Sequence, residues 1–123
     1  MEGGYPFENT AKECQLQDDL MYQEVYLNGH EWGESTHFYY NEGKRFFTYL
    51  TGGAEACGYD YRVYYDQKGE VIRVLVAEND CDGEEVPNSI EVTDEKRKKE
   101  ILASIANAEK EYKSIIENKT TAP

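Results

Sequence analysis

From Met21 to Ala77 the chain reads as short alternating runs broken by glycine-containing turn signals, and nine of its eleven tyrosines fall there. The runs are Met21–Leu27, Ser35–Tyr40, Lys44–Thr51, Gly58–Tyr65 and Glu70–Ala77. Between them lie Asn28-Gly29, Asn41-Glu-Gly43, Gly52-Gly53 and Asp66-Gln-Lys-Gly69. Aromatic and β-branched side chains suit a pleated, half-buried surface, and short turns leave successive strands antiparallel. The pattern predicts a five-stranded antiparallel β-meander.

A different period follows. Ile101, Ile105, Ala108, Tyr112, Ile115 and Ile116 recur at three- and four-residue steps, one apolar stripe on a helix of about 24 residues. Thr93 precedes Asp94 and Glu95, a cap and two acids suited to the positive end of the helix dipole. Such a helix buries its stripe by lying across one sheet face. Near the start, Thr10-Ala-Lys-Glu13 has capping-box spacing and predicts a short N-terminal helix over about 10–20. The expected fold class is therefore α+β, one domain over 1–123, with flexible ends at 1–9 and 119–123. One helical stripe covers one face, so a tyrosine-bearing face is expected to stay open.

Charge narrows the partners. The 25 acidic and 13 basic residues give a net charge of −12, and residues 1–93 alone carry −13. Such a surface repels phosphates and anionic membranes and attracts basic surfaces, so direct nucleic-acid binding is excluded. No apolar run approaches the roughly 20 residues of a membrane span. Met1-Glu-Gly-Gly-Tyr-Pro has neither the basic nor the apolar region of a cleavable signal. That leaves two alternatives, a cytoplasmic protein with a native Met1 and an exported one whose signal has been removed.

Candidate chemistry is sparse. Glu78-x-Asp80-x-Asp82-Gly83 begins like a calcium loop, but Ser89 stands where the closing glutamate belongs and Pro87 interrupts the approach. Cys57 has no histidine tied to it by spacing, and His30, His37, Cys57 and Cys81 follow no zinc pattern. No catalytic residue, metal or cofactor is expected. Pairing across the Asp66–Gly69 turn brings Cys57 close to Cys81, making them the disulfide candidates and leaving Cys14 unpaired. The lone tryptophan, Trp32, and the strand tyrosines Tyr39, Tyr49 and Tyr64 are the binding candidates, because such rings concentrate interface energy.

Tyr64-Tyr-Asp-Gln-Lys-Gly-Glu-Val-Ile-Arg-Val74, after Tyr39-Tyr-Asn-Glu-Gly-Lys-Arg-Phe-Phe47, resembles small tyrosine-rich secreted or lipoprotein-type β-meander proteins of Gram-positive bacteria. The resemblance spans about residues 21–118 and implies an exported, non-enzymatic domain. Two functions follow as expectations. One is an interaction module outside the cell or at its envelope, contacting a protein partner through an aromatic sheet face. The other is a cytosolic acidic inhibitor, anti-CRISPR-like, whose Asp80, Asp82, Glu84 and Glu85 imitate nucleic-acid phosphates.

Overall fold

The computed structural model describes residues 9–29, 32–54, 57–79 and 89–121. Seven strands form one antiparallel sheet in chain order: β1 (Thr10–Gln15), β2 (Leu20–Gly29), β3 (Trp32–Asn41), β4 (Lys44–Ala54), β5 (Cys57–Tyr65), β6 (Val71–Asn79) and β7 (Ile90–Glu91). The helix α1 (Glu95–Thr121) follows. The α+β class and the C-terminal helix are as expected from sequence; the strand number is not. The five expected runs are β2 to β6, with β1 and β7 added at the two edges.

The N-terminal helix is replaced by β1. Its Ala11 lies opposite Val25 and its Glu13 opposite Gln23. A capping box is a local signal, and here the ladder with β2 supplies the backbone hydrogen bonds that a helix would otherwise make for itself.

The glycine signals also sit differently. Asn28 and Gly29 pair within β2 against Gly33 and Trp32, and Gly52 and Gly53 extend β4. The absence of side chains there makes room for rings from neighbouring positions. A Cβ on Gly29 would fall into the Trp32 indole, and one on Gly33 would lie 2.6 Å from the Tyr26 hydroxyl. The turn at Glu42-Gly43 is read correctly from sequence. Both residues take positive φ, 53° and 79°, as a two-residue hairpin turn requires. At the β5–β6 turn, Asp66 Oδ1 accepts the N–H groups of Lys68 and Glu70.

Two β-bulges shape the turn end of the sheet. Tyr39 and Tyr40 face Phe47 and Arg45, so Phe46 is extra; Tyr64 and Tyr65 face Arg73 and Val71, so Ile72 is extra. Each bulge reverses the alternation. Arg45 is thereby turned to the helix side while Phe47 points the other way, and Val71 and Val74 share the helix side although three residues apart.

Across the paired register, Ala11, Val25, Phe38, Leu50, Val63, Val74 and Val76 form the covered face. The helix meets it with Ile101, Ile105, Ala108 and Tyr112, all buried. Asp94, not Thr93, caps the helix, because the first turn begins one residue later; its Oδ2 accepts the Arg97 N–H at 3.1 Å. Arg97 then lies over the Tyr61 ring at 5.7 Å and pairs with Glu78 at 3.2 Å. Further along, Arg45 joins Glu109 at 2.7 Å, and the Tyr112 ring meets Phe38 edge-on. The helix is thus pinned from β5 and β6 at its start, through β4, to β3 and β1 at Tyr112. Among the described residues, no helix is long and apolar enough to cross a membrane.

Candidate functional site

The face away from the helix collects the aromatic side chains that the core does not use. Reading the register across four strands gives one row, Tyr22 on β2, Tyr39 on β3, Phe47 on β4 and Tyr64 on β5. Neighbouring ring centroids lie 5.2, 5.7 and 4.9 Å apart, within the range of favourable tilted packing. Phe46, freed by its bulge, adds an exposed ring 6.4 Å from Tyr39. A second row holds His37, Tyr49 and Arg62, with the guanidinium 5.0 Å above the Tyr49 ring. The rings are half-buried by one another, which fixes their rotamers while leaving one side to solvent.

A polar thread runs beside the row. Glu24 and His37 are cross-strand neighbours, and Ser35 precedes His37 by two on the same face. The Tyr22 hydroxyl donates to Glu24 and stands 2.6 Å from His37 Nδ1. With its one proton directed at the carboxylate, the phenol accepts from Nδ1–H. Nε2 is then the acceptor for the Ser35 hydroxyl at 2.9 Å. Burial lowers the His37 pKa from its ordinary value, against Glu24, which raises it, so the neutral ring is favoured. Burial also raises the Tyr22 pKa, with Glu24 beside it adding to the shift. Every polar group in this thread is satisfied, and the histidine is locked between two hydroxyls.

The serine and histidine have nucleophile-and-base spacing. Acyl transfer also needs N–H donors aimed at a developing oxyanion. Ser35 lies inside an internal strand, paired to β2 through Tyr26 and to β4 through Thr51. Its neighbours' ladders engage the backbone that would have to supply those donors.

Of the binding candidates, Tyr39, Tyr49 and Tyr64 come together on this open face. Trp32 does not join them. It opens β3 opposite Gly29, in the alternation of Thr36 and Phe38, and is 47% exposed on the helix side of the sheet. Sequence reasoning missed Tyr22, His37 and Phe47, which only the register makes neighbours. The Cys57–Cys81 pairing, the calcium-like loop and the Asp80, Asp82, Glu84 and Glu85 carboxylates lie outside the described residues; Cys14 is free and exposed. Among the described residues, no group of three metal-ligating side chains is close enough to hold an ion.

No family model, no curated protein and no solved structure matches this chain.

Proposed function

We propose that the chain is a non-enzymatic interaction module whose open sheet face receives a protein partner. The observation that carries this reading is the unbroken row Tyr22–Tyr39–Phe47–Tyr64 on the face without a helix. Rings with few rotatable bonds, held by their neighbours, bury large area at small entropic cost when a partner arrives. Glu24 and Asp60 share that face with Lys12, Arg62 and Arg73, so its charges balance locally and the complementary partner is apolar at its centre, while the net charge of −12 favours a basic partner at long range. The internal position of Ser35 supports a binding role over acyl transfer. The likeness to secreted Gram-positive meander proteins supports a site of action outside the cell or at its envelope.

Affinity capture followed by titration at two salt concentrations tests the reading. Tyr39→Ala with Phe47→Ala should weaken binding at least about tenfold, as loss of a central aromatic anchor does. Trp32→Ala, on the opposite face, should leave it intact. Added salt should slow association while changing dissociation little. Binding that ignores Tyr39 and Phe47 and collapses with salt would replace this reading with the acidic-mimic one.

A further inference from the structure

On the opposite face, where the two hairpin turns meet the helix, an open cleft of about 390 Å³ is lined by Tyr40, Lys44, Arg45, Tyr65, Lys68 and Glu109, among others. Its composition departs from the rest of the protein. Three of the six cationic residues within positions 1–93 converge here, in a region whose net charge is −13. Lys44 opens β4 just after the Glu42-Gly43 turn and Lys68 comes from the β5–β6 turn, both exposed at the rim.

Arg45 forms the floor. Its side chain is 18% exposed, and its guanidinium lies 4.7 Å from the Phe38 ring centroid, 5.5 Å from Tyr40 and 5.8 Å from Tyr65. Nη2 donates to the Tyr40 hydroxyl at 3.1 Å and pairs with Glu109 at 2.7 Å. Nε is buried without a hydrogen-bond partner among the described residues. Nε is shut off from solvent behind these rings, so only the remaining exposed part of the guanidinium is open to the cleft. Both β-bulges serve this spot. One turns Arg45 toward the helix, and the other lies beside Tyr65, whose hydroxyl is 3.1 Å from Thr48 Oγ1. Bulges are over-represented beside functional sites because they re-aim one side chain without disturbing the sheet.

We infer that this cleft binds a small soluble molecule through one oxyanion group, a phosphate or carboxylate, held between Arg45 and the lysines Lys44 and Lys68. Arg45, with Nη2 already engaged by Tyr40 and Glu109, supplies a fixed positive charge at the floor, and the two lysines add mobile charge and free donors at the entrance. Glu109 neutralises part of the site, and Lys113 partly neutralises Glu109 at 3.7 Å. The carboxylate therefore competes with the ligand for the guanidinium. The inference is independent of the aromatic face, which lies across the sheet.

Inorganic phosphate is the direct probe, followed by amide NMR shifts at constant ionic strength. Saturable shifts at Lys44, Arg45, Lys68 and Gly69 are expected. Lys44→Ala with Lys68→Ala, both at exposed positions, should weaken phosphate at least about tenfold while leaving Tm unchanged. Glu109→Gln should strengthen it by removing the competitor. Linear shifts that chloride reproduces would overturn the inference, as would phosphate binding indifferent to the two lysines or weakened by Glu109→Gln. Binding to phospholipid vesicles with no response to free phosphate would also overturn it.

Discussion

His37 is held at both ring nitrogens, by Tyr22 at Nδ1 and Ser35 at Nε2, and it faces Glu24 and the Tyr49 ring on the flanking strands and Lys12 beyond them on β1. Because burial lowers its pKa below 6.5, the unfolded chain takes up a proton before the folded one does. The stability this site contributes is complete above pH 6.5 and is lost as the pH falls from there to the lowered folded value. Unfolding free energy followed between pH 7 and 5 should decline with a slope of at most about 1.4 kcal/mol per pH unit from this group, and His37→Asn should flatten that slope. Tyr112 behaves in the opposite sense. Burial, then Glu13 beside it, pushes its phenol up to about 12. The unfolded chain loses that proton first, near 10, so stability should fall as pH rises from 10 toward 12. A difference in ultraviolet phenolate absorbance between native and Tyr112→Phe protein, present at pH 13 and absent at pH 11, would check the order.

At the level of elements, the helix is the part whose energetics follow most simply from its sequence. Ile105 is 3% exposed against the sheet, so Ile105→Ala should cost roughly 2–5 kcal/mol in denaturant unfolding. The β3–β4 turn carries a correctable strain. Glu42 occupies the left-handed region that asparagine and glycine tolerate better, and Glu42→Asn should add up to about 1 kcal/mol of stability. The stripe Ile101, Ile105, Ala108, Tyr112 was legible in the sequence because a 3.6-residue period is written within the helix itself. So were five of the strands; the tyrosines Tyr39, Tyr49 and Tyr64, singled out from sequence, share the open face. What was not legible depends on partners. Thr10–Glu13 reads as a helix start until β2 is there to pair with it, and β7, two residues long, has no period at all. Turning the chain at Asn28-Gly29 would pair Tyr22 with Ser35; the observed register pairs it with Tyr39. That slip of four residues keeps every side chain on its face but changes its neighbour, so the aromatic row stays hidden. Neither the bulge at Phe46, which divides Arg45 from Phe47, nor the one at Ile72 is announced by a turn residue in the sequence.

For the whole molecule, the sheet is a simple meander in which each strand pairs with its sequence neighbours, and β1 at one margin carries Lys12 and Glu13, charges that discourage a foreign strand from adding there. The helix is the exception to this locality. It follows all seven strands in the chain, yet Ile101, Ile105, Ala108 and Tyr112 belong to the same core cluster as Ala11, Val25 and Phe38. Removing residues 95–121 should therefore leave a sheet apolar on one side and aromatic on the other; strong binding of a hydrophobic dye and a shift to larger species than the intact protein on gel filtration are the expected readings. A ribosome meets the same problem on every round. Each growing chain can zip its hairpins as they emerge, but the face they create has no cover until residues 95–121 have emerged as well. During that interval two copies could shield each other face to face, or a chaperone could. The C-terminal helix is thus the fold's final step and also the moment at which the nascent chain stops being sticky on that side.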